Sequence, residues 1–142
     1  MYHRILVALE NSKSDRSLMP HVKEMAKRFN SKLVLLHVAD GYAARNFNSL
    51  NLAESEEIRA DKLYLEKIAG EMKEGGIASV TRLAMGSPPK EILRVSVEEK
   101  CDLIAMTTHG HRWFADAIFG STISDVRHKS IIPLLVVRDI SS

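Results

Sequence analysis

Five apolar runs rich in β-branched residues punctuate the chain: RILVALE at 4–10, KLVLLHVA at 32–39, SVTRLAM at 79–85, DLIAMTT at 102–108 and IPLLVVR at 132–138. Four of the five are nearly continuous, not alternating, which is the pattern of strands buried on both faces of a parallel sheet. Such strands need helices on both sides, and the segments between them carry helical periods. Leu18, Val22, Met25 and Phe29 recur at spacings of four, three and four, one stripe of an amphipathic helix. Ser17 is its expected N-cap, which places Pro20 at the third helical position, where a missing N–H has no intrahelical acceptor to lose. An earlier cap would put the proline inside the helix and imply a kink.

Residues 40–54 have no clean period and carry Gly, Asn and Ser, so they read as a mobile surface loop, the longest in the chain. Beyond it Ile58, Leu65, Ile68, Ala69 and Met72 line one face of a second helix, which Gly75 and Gly76 can end in a left-handed cap. A third helix opens at GSPPKEILRV, with Ser87 as N-cap, Pro88 at the first helical position and Ile92 and Val95 inward. A fourth starts near Gly120 or Ser121 and runs to about Ser130 with Ile123 and Val126 inward, and Pro133 opens the last strand. The alternation of five strands with four helices predicts a Rossmann-like α/β fold: an open five-stranded parallel sheet with helices on both faces, residues 1–142 forming one domain.

Composition narrows the class without changing that outline. A chain of 142 residues with 45% apolar and 27% charged side chains can bury a real core. The net charge of +2 comes from interleaved lysines, arginines and acids, so no nucleic-acid or anionic-membrane partner is expected. The single cysteine, Cys101, cannot form an internal disulfide and reads as an inert, semi-buried thiol in a reducing compartment, the cytoplasm. No apolar run reaches membrane-spanning length, and the apolar stretch of MYHRILVALENS is interrupted too soon, at Glu10, for a signal peptide.

In doubly wound sheets ligands bind beyond the C-terminal strand ends, where the winding direction reverses. That rule selects ALENS after the first strand, HVAD after the second, LAMGS after the third and MTTHGH after the fourth. Gly110 follows the fourth strand directly, and Gly120, Ser121 and Thr122 stand at a helix start, where free N–H groups and the helix dipole favour anions. On the residues alone, this segment is either a phosphate cradle, aided by Arg112, or a loop in which Gly110 turns the chain and Ser121 caps the helix.

Several chemistries fall away. ENSKSD after the first strand is not a dinucleotide fingerprint, and no P-loop occurs. The third strand ends in LAMGS, without the phosphorylatable aspartate of a receiver domain. His109 and His111 flank Gly110 without a third ligand at regular spacing, while His3, His21, His37 and His128 are scattered over different elements, so no metal site is expected. Ser121 lacks a nucleophile elbow, and no triad is evident. The acidic group ESEE at 54–57 reads as a helix start, not a site, and Trp113 and Phe114 either pack the loop against the sheet, the favoured reading, or help form a subunit contact.

Taken together, RILVALENS, GSPPKEIL, CDLIAMTTHGH and GSTISDVRHKSIIPLLVV resemble the universal stress protein A family over essentially the whole chain. Members that bind ATP carry GxxG, nine residues, then Gly with Ser or Thr. Gly110, Gly120 and Ser121 match, whereas Thr107 stands where the first glycine would be, Glu10 where the family has aspartate and Ala8 where it has proline. The resemblance implies a stress-response binding and signalling module, not an efficient catalyst, with ATP or AMP as ligand and Mg or Mn accompanying the phosphates. It implies that Val38 offers backbone to the adenine and that Ala8, Leu9 and Glu10 lie near base and ribose. Met106, Thr107, Thr108, His109 and Gly110 would wrap the ribose and phosphates, and Gly120, Ser121 and Thr122 would complete the phosphate site. The last strand should be an edge, and the resemblance implies that residues 132–138 pair across a homodimer. The alternative is a member that binds no ATP and works as a dimeric module with protein partners not identifiable from the sequence.

Overall fold

The computed structural model describes residues 1–40, 51–108 and 122–141. Five strands form one parallel sheet in the order β3-β2-β1-β4-β5: β1 (Arg4–Leu9), β2 (Lys32–Asp40), β3 (Ser79–Gly86), β4 (Leu103–Thr108) and β5 (Leu134–Arg138). Among the described residues four helices connect them: α1 (Asp15–Phe29), α2 (Asn51–Glu74), α3 (Pro88–Glu98) and α4, whose described residues are 122–129. The expected fold class is the observed one, with strand limits within two residues of those read from the apolar runs. The α-helical crossovers run outward from β1 in both directions, so β1 and β4 are the neighbours between which the winding reverses.

Strand alternation divides the core in two. Ile5, Val7, Leu9, Leu33, Leu35, Leu103 and Ala105 face α1 and α2, meeting Leu18, Val22, Leu65, Ile68 and Met72. Leu6, Val34, Leu36, Ile104 and Met106 face α3 and α4, meeting Ile92, Val95 and Val126. Strands buried on both faces have no polar positions to spare, which is why their sequences read as continuous apolar runs.

The helix ends show which local signals held. α2 ends with Gly76 at φ +77°, Gly76 N–H donating to the Lys73 carbonyl (3.0 Å) and Ile77 N–H to that of Met72 (2.8 Å). These two bonds with the buried Met72 and Ile77 make a Schellman cap. Ser87 stands at the N-cap of α3 with Pro88 following, as expected, although its hydroxyl makes no capping bond.

Other expectations need correction. α1 starts at Asp15 after Ser14, not after Ser17, so Pro20 lies within the helix. It occupies the exposed side, where water can satisfy the carbonyl that its missing N–H leaves free. Phe29 leaves the core stripe; it is 38% exposed and packs edge-on against Tyr2 with ring centroids 5.5 Å apart. Ile58 is only half-buried. The loop read over 40–54 needs correction at both ends, since Asp40 ends β2 and 51–54 lie in α2; residues 41–50 lie outside the described residues.

Candidate functional site

β1 leaves the sheet through Glu10 and Asn11, and Asn11 takes φ +57°, a left-handed conformation that asparagine tolerates better than other side chains. The turn is held from below by Asp15, which is 2% exposed. Its Oδ1 accepts the Glu10 N–H at 2.9 Å, and its Oδ2 accepts the Asn11 N–H at 3.0 Å and the Tyr64 hydroxyl at 2.6 Å. This explains why α1 begins early, since a helix started at Ser17 would leave Asp15 unable to close the turn. Desolvation, with the bond to Asp15 and the nearby negative charge, raises the Tyr64 phenol above its ordinary value and keeps it a donor.

Above that turn Glu10 bridges the winding switch. Its Oε1 accepts the Ser14 hydroxyl at 2.9 Å, and its Oε2 accepts the Thr107 hydroxyl of β4 at 3.3 Å. Thr107 is buried in a regular strand and is not among the described residues with positive φ. Threonine in place of a family glycine therefore carries no left-handed strain here. The two departures at Thr107 and Glu10 are in contact with each other.

On the β2 side, Asn11 Nδ2 donates to Asp61 Oδ1 of α2 at 2.8 Å, and His37 Nε2 lies 3.4 Å from Asp61 Oδ2. The other His37 nitrogen, Nδ1, faces the Leu9 carbonyl at 2.9 Å. Asp61 thus brings α2 against the turn after β1 and against β2.

These groups border a cavity of about 660 Å³ at the C-terminal strand ends, within the range of small-molecule sites. Its apolar wall is Ala8, Leu36, Val38, Pro88, Ile92 and Met106; its polar wall is Glu10, Asn11, His37, Glu57, Asp61 and Thr107, with Leu9, Ala60 and Thr122 completing the lining. Of the residues expected from the sequence, the structure brings together Ala8, Leu9, Glu10, Val38, Met106, Thr107 and Thr122. Thr108 does not line the cavity; it ends β4, and its carbonyl accepts the Asp139 N–H at 2.7 Å. His109, Gly110, Arg112, Gly120 and Ser121 lie outside the described residues, as do His111, Trp113 and Phe114.

The contribution of α2 was missed. Glu57, of the acidic group read as a mere helix start, lines the cavity together with Ala60 and Asp61. A signal was present: Asp61 falls on the inward stripe of 65, 68 and 72, where a carboxylate among apolar residues marks a site more than a solvated face, while Glu57, one turn earlier, is exposed at the rim. Cys101 is buried beneath α3, and desolvation pushes its thiol up to about 11. Among the described residues no three His, Cys, Asp or Glu gather into a metal cage, and no helix is long and apolar enough to cross a membrane.

Residues 1–138 match the profile of the universal stress protein family. Universal stress protein MJ0577 of Methanocaldococcus jannaschii is 28% identical over 97% of this chain and 96% of its own length. A solved structure of MJ0577 superimposes with a TM-score of 0.84 at 26% identity, covering 100% of this chain and 99% of that one. Two more distant neighbours share the fold. A universal stress protein of Archaeoglobus fulgidus in complex with dAMP has a TM-score of 0.70 at 20% identity, covering 96% and 98% of the two chains. A universal stress protein in complex with cAMP has a TM-score of 0.69 at 20% identity, covering 97% and 98%.

Proposed function

The chain belongs to the universal stress protein family, and we propose that it binds an adenine nucleotide in the cavity at the β1–β4 switch, serving as a stress-response binding and signalling module without efficient catalysis of its own. The observation that carries this reading is the meeting of Ala8, Glu10, Val38, Met106, Thr107 and Thr122 around one cavity at the place where doubly wound sheets hold ligands. Neighbours of the same fold that hold dAMP and cAMP support the choice of an adenine ligand.

In this reading the base lies in the apolar slot between Val38 and Ile92, and Glu10 accepts from a ribose hydroxyl. The phosphates extend past Thr107 and Thr122, and the reading gives Gly110, Gly120 and Ser121 the role of cradling them, as the family resemblance implies. ATP and AMP are both candidates. A magnesium or manganese ion would depend on the phosphates for its ligands, since the described residues offer no cage.

The alternative is a nucleotide-free dimeric module. The observation that favours it is the apolar character of the outer edge: β5 is the last strand of the sheet, Val136 is 42% exposed, and Ile131 and Ile140 flank the strand exposed. Pairing of residues 132–138 with a second copy would cover that edge and is compatible with nucleotide binding as well.

The test is the nucleotide content of the purified protein after denaturation, followed by calorimetric titration with ATP, ADP and AMP in magnesium. Adenine nucleotide near one per chain, or saturable binding that a Gly120→Val variant loses, is the expected result. No released nucleotide and no heat would overturn the reading and leave the protein-partner alternative.

A further inference from the structure

We propose that Asp61 is a specificity-determining residue of the cavity, an acceptor that selects nucleosides presenting a hydrogen-bond donor to the α2 wall; the inference rests on the nucleotide-binding reading above.

Asp61 is 6% exposed, yet its carboxylate borders the cavity. A buried carboxylate is tolerated only when it is hydrogen-bonded, and two side chains approach Asp61 from the protein. Asn11 Nδ2 donates to Oδ1 at 2.8 Å, and His37 Nε2 stands 3.4 Å from Oδ2. The other ring nitrogen, His37 Nδ1, lies 2.9 Å from the Leu9 carbonyl, which fixes the ring beside Asp61. Asn11 presents a donor to Asp61 and holds it as an acceptor, and the His37 ring beside Oδ2 helps to orient it. Each carboxylate oxygen has a second lone-pair site, and a ligand beside Asp61 meets lone pairs rather than hydrogens.

A carbonyl oxygen placed there would be repelled by the charge and would lose its water; an amino or hydroxyl group would gain a charge-assisted bond. A nucleoside offers such donors from two sources, the exocyclic amino group of the base and the ribose hydroxyls. Position favours the base. In the nucleotide-binding reading Glu10, in the β1–β4 crevice with Thr107, takes the ribose, which leaves the base to the β2 side of the cavity, where His37 and Asp61 lie. The carboxylate therefore discriminates a 6-amino from a 6-oxo purine.

The experiment titrates AMP, IMP and 2′-deoxy-AMP into the wild-type protein and an Asp61→Asn variant, with thermal melts confirming that both fold. Asparagine keeps an acceptor for Asn11 but turns an amide N–H toward the ligand. Wild type is expected to prefer AMP to IMP by about ten- to a hundredfold, and the variant to lose or reverse that preference. A preference for AMP over 2′-deoxy-AMP that the variant abolishes would instead assign the donor to the sugar, still through Asp61. Ratios unchanged between the proteins would overturn the role of Asp61, as would equal wild-type affinity for all three ligands. Should the variant not fold, Asn11→Ala, which removes one orienting donor, is expected to weaken the AMP preference; an unaltered preference there refutes the inference. Binding of none of the three to wild type would sink the nucleotide reading itself, an outcome distinct from the others.

Discussion

Replacing Asp15 with asparagine tests whether the turn that presents Glu10 and Asn11 is built on one buried carboxylate. Asp15 accepts three hydrogen bonds, from Glu10 N–H, Asn11 N–H and the Tyr64 hydroxyl, at 2.9, 3.0 and 2.6 Å. Asparagine retains one oxygen. Placed to serve Asn11 and Tyr64, it leaves an NH₂ facing the Glu10 N–H, two donors in contact where the residue is 2% exposed. A stranded buried donor costs about 1–3 kcal/mol, and loss of charge weakens each remaining bond by about half. The expected destabilisation is therefore about 3 kcal/mol, a large share of the roughly 5–15 kcal/mol typical of folded domains. In urea, with a slope of about 1–3 kcal/mol per molar, the midpoint should fall by 1 M or more, on the order of the ratio of those values. Tyr64→Phe removes one of the three donors and should cost about 1–2 kcal/mol. In the Asp15→Asn background it should cost measurably less, since neighbours in one network are not additive. A loss below about 1 kcal/mol for Asp15→Asn, or additive losses in the double variant, would refute the claim that the charged carboxylate organises the turn.

Gly86 ends β3 at φ +131°, a conformation that side chains rarely adopt, so Gly86→Ala should lower stability by about 1–3 kcal/mol in chemical denaturation even though a Cβ there finds its nearest neighbour 3.8 Å away. Glu99 receives Arg4 at 2.8 Å and Arg82 at 2.7 Å, tying the end of α3 to two strands; Glu99→Gln should cost about 1–2 kcal/mol at low salt and less at 1 M salt, and equal losses at both would contradict an electrostatic origin. An unfolded Cys101 thiol ionises near its ordinary 9.0, whereas burial holds the folded one at about 11, so the folded state keeps a proton that the unfolded state loses. Its contribution to stability is complete below pH 9 and is lost as pH rises toward 11, the same direction as the raised Tyr64 phenol. Denaturation at pH 8 and 10.5 should show a decline that Cys101→Ala reduces by about 1–2 kcal/mol; an identical decline in the variant would contradict the buried thiol.

The fold was legible because its signals are local and agree with one another. Apolar runs mark strands covered on both sides, Gly75 with Gly76 marks the end of α2, and Ser87 with Pro88 marks the start of α3. The start of α1 was misread because Ser17 is a good cap locally, while the actual start answers to a contact between Asp15 and the backbone of Glu10 and Asn11. Phe29 continues a helical stripe to the last residue of α1, where it is partly exposed and packs on Tyr2 instead of entering the core. Half of the site was equally open to inspection: the strand-end rule finds Ala8, Glu10, Val38, Met106 and Thr107 once the parallel order is known.

What the sequence by itself determined is the set of elements, their parallel arrangement and the end of the sheet at which a ligand site belongs, since periodicity, caps and chain direction depend on neighbours along the chain. Only the tertiary structure decided that Thr107 reaches Glu10 across the switch, that Asp15 organises the turn beneath it, and that Asn11 and His37 converge on Asp61 from positions 50 and 24 residues away, by the difference of their numbers. Such contacts depend on the distance between side chains brought together by the sheet and by the docking of α2, and no local pattern encodes that distance.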